Sequence, residues 1–392
     1  MASRRDLLRI AGTAGLTVAA GAVGVPAAPA GTATGVPAHG ATAHRARATG
    51  GLQAALDDIV SAAAIGVLAE VHDRGRVWRG AGGVSRLGTH RAVPVAGRFR
   101  AGSITKSFVA AVVLQLAGEG RLALDDTLQR WLPGVLPGAE RITVRQLLQH
   151  TSGVANYPNT PSFRAIYHSE AAIVRMRHRT WTPPELVAFA AGVPLLFEPG
   201  TSWMYSNTNF VLLGMVVERV TGAGYAAEVR RRILRPLGLR GTRFPATDAA
   251  LTGAHPHGYL AVGRDGGEEP VDITVFNPSV AGASGEVTST AADLNVFFRA
   301  LLGRRLLGPA EQEQMRAACA TPRDYDYGLG LMTRTVAGGT RLWGHRGDIF
   351  GYYAESWIAE DGGRQLTVAA TPWGEVDPKV PVAALVETVF AA

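Results

Sequence analysis

Lysine is nearly missing from this 392-residue chain. Lys106 and Lys379 are the two present, so of 39 basic residues 39 − 2 = 37 are arginine. Arginine keeps its proton inside a protein, whereas a desolvated lysine amine gives its proton up. Cysteine is scarcer still. With Cys319 alone, no intramolecular disulfide forms, and no cysteine stands near the N-terminus to accept a lipid. The ten histidines never fall at zinc-ligand spacing with cysteine or glutamate. His255-Pro256-His257 comes nearest and reads as a turn, so neither a metal nor another cofactor is expected. The arginines are scattered over unrelated segments, among them Arg45, Arg91, Arg164 and Arg299, without interleaved aromatics. A net charge of +7 and a pI near 9.9 therefore read as a solvated arginine face, with no nucleic-acid partner. Gly-x-Ser-x-Gly is absent around Ser103, which argues against a nucleophile elbow of the α/β-hydrolase type. No internal repeat is present.

What the chain does contain fits a soluble globular protein with a sizeable core, 47% hydrophobic and 18% charged. At its start, Ser3-Arg4-Arg5-Asp6-Leu7-Leu8-Arg9 precedes a Gly/Ala-rich, mildly apolar stretch over 10–25 and a small-x-small exit, Ala28-Pro29-Ala30. That order reads as an export signal, and the paired arginines point to the twin-arginine route. The stretch is too short and too glycine-rich for a stable membrane anchor. Residues 1–30 are thus expected to be a signal and 31–50 a disordered leader. Residues 51–392 are expected to form the folded domain of a secreted monomer.

The first lysine stands three residues after a serine, in Gly102-Ser103-Ile104-Thr105-Lys106-Ser107-Phe108. Residues 108–117 are almost uniformly apolar and helix-compatible, so Ser103 sits where a helix begins and shares a face with Lys106. A helix N-terminus supplies positive potential, which loosens the lysine's proton and favours alkoxide character on Ser103. Ser-x-x-Lys at a helix start makes a nucleophile without an Asp–His pair. Chance also yields this four-residue pattern, but in a chain with two lysines that explanation loses weight.

Periodicity organises the remainder. Residues 52–61 have helical spacing, and 64–71 and 76–80 read as strands joined at Asp73-Arg74-Gly75. Helices are predicted over 143–150, 184–191, 209–221 and 228–234. Strands follow over 328–331, 341–345, 351–358 and 366–371, and an amphipathic helix over 380–390 closes the chain. Strands at both ends predict one sheet built from about 51–106 and 285–392, carrying a helical insertion over about 107–284.

Three further segments carry chemistry or structure. Met204-Tyr205-Ser206-Asn207 follows the turn Glu198-Pro199-Gly200 and leads into a helix. A tyrosine hydroxyl and an asparagine amide so placed point into a cleft together. If Tyr205 faces Lys106, the ammonium favours its phenolate, and it relays a proton between nucleophile and leaving group. Taken alone, the segment is a turn with a surface aromatic. In Trp343-Gly344-His345-Arg346-Gly347-Asp348, two glycines let another backbone approach a short strand. A free N–H there, with that of Ser103, makes an oxyanion hole. A lone Gly-His-Arg-Gly is an ordinary turn. Ile142-Thr143-Val144-Arg145-Gln146-Leu147-Leu148-Gln149-His150-Thr151-Ser152-Gly153 reads as a structural helix and turn.

In this order and at these separations, the segments resemble the serine β-lactamase and penicillin-binding-protein superfamily. More particularly, they resemble the streptomycete-type serine D-alanyl-D-alanine carboxypeptidases with their class C β-lactamase and esterase relatives. The likeness spans about residues 52 to 390 and includes Leu122-Ala123-Leu124-Asp125-Asp126 and Tyr327-Gly328-Leu329-Gly330-Leu331. It implies an α/β (α+β) fold: a central, mainly antiparallel sheet flanked by helices, plus an all-helical domain, with the site in the cleft between them. It also implies that Ser103 is the acylated nucleophile and Lys106 its proton acceptor or electrostatic activator. By the same likeness, Tyr205 is a general acid/base and Asn207 a substrate contact. His345, Arg346 and Gly347 lie on the strand lining the site, and the backbone N–H groups of Ser103 and Asp348 form the oxyanion hole. Which of Lys106 and Tyr205 takes the first proton stays open.

Two residues depart from the family pattern. Arg346 replaces the usual threonine or serine, and Met332 stands where the carboxypeptidases place an arginine for the substrate's terminal carboxylate. Either Arg346 moves that cation to the neighbouring strand, or carboxylate recognition is lost. The resemblance implies a D-Ala-D-Ala carboxypeptidase-like peptidase, acting on peptidoglycan stem peptides and acylated by β-lactams. The alternatives are an esterase, amidase or peptide-cyclising acyltransferase of secondary metabolism, and a non-catalytic receptor for penicillin or cell-wall fragments. An intact set of Ser103, Lys106, Tyr205 and Asn207 argues against the receptor. N-terminal sequencing of secreted protein should begin near Gly31; a full-length chain held in the cytoplasm would contradict the export signal.

Overall fold

The computed structural model describes residues 39–264 and 267–391, with side chains from 50 to 263 and from 267 to 391. The expected signal over 1–30 and residues 31–38 of the expected leader lie outside the described residues.

The central sheet has seven strands: β1 (Ala64–Asp73), β2 (Arg76–Gly83), β3 (Asp326–Tyr327), β4 (Met332–Thr335), β5 (Arg341–Ile349), β6 (Tyr352–Ala359) and β7 (Arg364–Pro372). Their order across the sheet is β2-β1-β7-β6-β5-β4-β3, and every pairing is antiparallel. The two ends of the chain meet at β1 and β7, where Val67 faces Ala370. The β1–β2 hairpin turns on Arg74 and Gly75, both with positive φ (46° and 86°). Two such residues give the mirror-image turn that matches strand twist, which the Asp-Arg-Gly segment anticipated.

Apolar residues on both faces of β1 need cover on both sides. On one face the helices His39–Ala63 and Lys379–Phe390 pack Leu56, Ile59, Val382 and Val386 against Val67, Trp357 and Leu366. On the other, the helix Ala291–Leu302 lies against the sheet and leads into the helical part of the molecule. There Phe108 stacks on Phe297 with ring centroids 3.6 Å apart. Phe108 belongs to the helix Thr105–Gly118, whose residues Thr105 to Leu114 are all buried. A helix apolar all round is a central one, and this one carries Lys106 into the middle of the protein. Among the described residues, no single helix is long and apolar enough to cross a membrane.

Two expectations are corrected. The first helix begins at His39, inside the stretch expected to be a disordered leader. Ala41, Ala43, Ala46 and Ala48 supply the helix propensity that favours this. Residues 328–331 form no strand; they bend between β3 and β4. Gly330 has φ 72° there, its N–H reaches Leu148 O at 3.1 Å, and its carbonyl accepts from Ser107 Oγ at 2.8 Å. Those backbone groups tie the helices to the sheet edge instead of continuing a ladder.

Burial of a charge marks the joint between sheet and helix. Glu70 on β1 is buried and accepts hydrogen bonds from His72 Nε2 (2.6 Å), Arg79 Nε (2.6 Å) and Asn295 Nδ2 (3.1 Å). Burial alone raises its carboxyl pKa, but the bonds from His72, Asn295 and Arg79 outweigh this and bring it down to about 2. A carboxylate with a depressed folded pKa contributes stability that is complete above its unfolded value of 4.5 and is lost as pH falls towards 2. Glu70→Gln should therefore lower stability at pH 7, by up to about 3 kcal/mol. Thermal melts should show the gap to wild type closing between pH 4.5 and 2; a gap independent of pH would refute the assignment.

Candidate active site

Ser103 lies in a single 3-10 turn, Gly102–Ile104, that runs into the helix Thr105–Gly118. The turn is held by Ala101 N–H donating to Val287 O (2.9 Å). It is also held by Thr105 Oγ1, which donates to Gly102 O (2.7 Å) and accepts from Val287 N–H (2.9 Å). Gly102 has φ 52°, and a Cβ there would lie 2.8 Å from Asp348 N. A Cβ on Gly347 would lie 1.9 Å from Ala101 O and 3.0 Å from Ser103 N. Only glycine at both positions lets β5 touch the serine turn backbone to backbone. The amides of Ser103 and Asp348 lie beside this contact, where the resemblance places an oxyanion hole. Ser103 itself is half-buried, so a substrate can reach it.

Lys106 is fully buried. Its Nζ lies 2.9 Å from Ser103 Oγ, 2.8 Å from Asn207 Oδ1 and 2.7 Å from Ser284 O. Burial, with no carboxylate among these partners, pushes the ammonium well below the ordinary lysine pKa. A neutral amine has two N–H groups and one lone pair. Two of the three neighbours are carbonyl oxygens, which only accept; the lone pair is then left for the hydroxyl of Ser103. That arrangement suits an amine that takes a proton from the serine hydroxyl.

Tyr205 is partly buried on the loop before the helix Asn207–Thr221, and Lys106 Nζ sits 4.8 Å from its ring centroid. Desolvation raises its pKa above that of free tyrosine, with the hydrogen bond to Ser103 working the other way. The resting side chain is a phenol. Burial, the dominant influence on Tyr205, works against the phenolate anticipated for a tyrosine facing an ammonium. Asn207 spends its Oδ1 on Lys106, and its backbone N–H donates to Asn156 Oδ1 at 2.8 Å. Its side-chain N–H groups are the ones available to a substrate.

On β5, His345 and Arg346 point to opposite faces, as strand alternation requires. His345 is buried; Nδ1–H donates to Arg346 O (2.5 Å) and Nε2 accepts from Tyr327 Oη (3.0 Å). Burial lowers its pKa to about 3, so it stays neutral. Arg346 makes a bidentate pair with Asp324 (2.9 and 2.7 Å), and its Nε lies 3.3 Å from Glu355 Oε1. Glu355 is in turn held by Tyr353 Oη and Trp357 Nε1. The guanidinium is thus engaged by two carboxylates of its own chain. Met332 is buried against Tyr327 and the apolar face of the sheet. Asp348 has its side chain 3.9 Å from Nζ of Lys379, which pairs more closely with Asp377 at 3.2 Å.

The structure therefore brings Ser103, Lys106, Tyr205 and Asn207 into one hydrogen-bonded group, with His345, Gly347 and Asp348 beside it. Sequence reasoning missed the Ser284 carbonyl, Asn156 and His150. A backbone acceptor leaves no side-chain signature, so Ser284 was not findable. His150 lay in a segment read as structural.

Comparison with known proteins agrees with this geometry. The model of the Beta-lactamase family matches residues 48–384. Among solved structures, a D-stereospecific amidohydrolase from Streptomyces sp. is 38% identical, with a TM-score of 0.80, covering 87% of this chain and 98% of that one. A D-amino acid amidase from Ochrobactrum anthropi SV3, in complex with D-phenylalanine, is 27% identical, with a TM-score of 0.76, covering 88% and 99%. Among curated proteins, esterase EstB of Burkholderia gladioli is 35% identical over 53% of this chain and 52% of its own length. Penicillin-binding protein 4* of Bacillus subtilis is 26% identical over 69% and 60%. The chain spans between half and two thirds of these two curated relatives.

Two substitutions test the centre. Ser103→Ala should abolish covalent labelling by a fluorophosphonate or a penicillin; an adduct that persists in intact-mass spectra would move the nucleophile elsewhere. Lys106→Arg keeps the charge but cannot accept a proton, so acylation should slow by at least about two orders of magnitude if the amine acts as a base. Near-normal acylation by that variant would show that charge alone suffices.

Proposed function

This chain belongs to the beta-lactamase family, and within it we propose an amidase and esterase that takes the acyl group of an uncharged D-aminoacyl amide or ester onto Ser103 and passes it to water. The observation that carries this reading is the state of the carboxylate-binding positions. Arg346 is neutralised by Asp324 and Glu355, and Met332 offers no charge. Neither position assigned to a peptide's terminal carboxylate has a free cation to give it. A D-stereospecific amidohydrolase and a D-amino acid amidase among the structural relatives, and an esterase among the curated ones, support the same substrate class.

The chemistry follows from the hydrogen bonds. The Lys106 lone pair accepts the Ser103 proton as Oγ bonds to the acyl carbon. The oxyanion forms between the N–H groups of Ser103 and Asp348. The Tyr205 phenol donates its proton to the departing nitrogen or oxygen as the bond to carbon breaks, and Lys106 restores that proton. Water then attacks the ester, and Ser103 leaves with a proton. Asn207 holds Lys106 and offers its amide to the substrate. Secretion by the twin-arginine route belongs to this proposal and is supported by the N-terminal arginine pair and small-residue exit.

Rates on D-phenylalanine amide, its methyl ester and a D-Ala-D-Ala-ended peptide test the reading. The amide and ester should turn over with the higher kcat/KM, and Arg346→Ala should change all three alike. Losing a charged hydrogen bond to substrate typically costs about 1.5–3 kcal/mol, or roughly 10- to 150-fold. A loss of that size confined to the carboxylate-ended peptide, or a wild-type preference for it, would restore the carboxypeptidase reading.

A further inference from the structure

The turn that follows the short helix Val144–Gln149 does more than end it. His150 is fully buried in the left-handed region (φ 64°) and closes that helix. Its carbonyl accepts from Met204 N–H at 3.0 Å, and its Nδ1 accepts from Ser206 N–H at 3.2 Å. Those two donors are the residues immediately before and after Tyr205. The Asn209 amide also donates to Nδ1, at 3.2 Å, and is itself fixed because its Oδ1 accepts from Ser152 Oγ at 2.8 Å. The imidazole ring lies 4.3 Å from the Tyr205 ring, centroid to centroid, and 4.7 Å from that of Tyr327. One residue thus holds the backbone on both sides of Tyr205 and packs on its ring.

Two donors directed at Nδ1 fix the tautomer: the ring proton is on Nε2 and Nδ1 keeps its lone pair. Burial holds the ring's pKa well below that of free histidine, which keeps it neutral. A protonated ring would lose both acceptor contacts and release the loop.

We propose that His150 is a positioning residue for acyl transfer: through Nδ1 and its own carbonyl it sets the Tyr205 hydroxyl against Ser103. The proposal rests on the acid role given to Tyr205 above and adds the group that aims it. His150 does not touch the reacting atoms, so its loss should act on turnover through Tyr205 and leave substrate binding nearly unchanged.

The test is a mutant cycle read on a chromogenic ester, with kcat, KM and melting temperature measured together. His150→Phe keeps a ring and removes the acceptor; kcat should fall at least about tenfold with KM within about twofold. His150→Asn tolerates positive φ and offers an amide oxygen near the place of Nδ1; kcat should return to within about threefold of wild type. Combined with Tyr205→Phe, His150→Phe should cost less than about a further twofold, since the side chain it aims no longer carries a hydroxyl. Should His150→Phe not fold, His150→Gly, which suits the backbone at this position, takes its place in the cycle. Losses that add fully in the Tyr205→Phe background, or an equal loss in His150→Asn and His150→Phe, would overturn the positioning role alone. An unchanged kcat in Tyr205→Phe would overturn the acid role of Tyr205 and this proposal with it.

Discussion

Desolvation of the Lys106 amine is the condition on which the remaining structure depends. An ammonium surrounded by carbonyl dipoles and a hydroxyl, without a carboxylate, is poorly compensated for its lost hydration. The consequence is an amine whose proton is loosened, within hydrogen-bond reach of Ser103. Achieving this demands a helix buried on every side. That explains why the Thr105–Gly118 helix is the axis around which the helical part packs, and why its sequence is so uniformly apolar. The same low polarity keeps Tyr205 a phenol and His345 and His150 neutral imidazoles. One environment therefore biases four titratable groups towards their neutral forms.

A second constraint is steric. The serine turn and β5 meet without side chains between them, at Gly102 and Gly347, where the proposed oxyanion site lies. The surrounding polar side chains are occupied by the protein itself: Thr105 braces the turn, Asn207 holds Lys106, and Asp324 and Glu355 hold Arg346. A site so saturated is rigid, and preorganised dipoles are what stabilise a developing oxyanion. Arg346 shows the cost of that rigidity. A residue whose type promises carboxylate recognition becomes part of the wall.

Much of the fold was legible because period and punctuation are local. Short apolar runs marked β1, β6 and β7, the Asp73-Arg74-Gly75 turn marked the first hairpin, and Gly222 ended the helix that begins at Asn207. Residues 328–331 were misread as a strand. Their apolar-glycine alternation fits a pleat, yet their hydrogen bonds go to Leu148, Ser107 and Met315, which no local pattern reveals. His150 was missed for the same reason. Its role comes from Met204, Ser206 and Asn209, more than fifty residues further along the chain.

The sequence by itself determined which side chains share an element: Ser103 and Lys106 lie one turn apart, and His345 and Arg346 fall on opposite faces of one strand, because those relations follow from 3.6- and 2-residue periods. Tertiary structure alone decided what those side chains meet. Asn207 and Ser284 reach Lys106 from 101 and 178 residues away, and Asp324 claims Arg346 from 22 residues away. Protonation state and free charge depend on dielectric and on distant partners. Neither is a property of a residue or its neighbours in sequence, so both were settled only when the chain had closed around them.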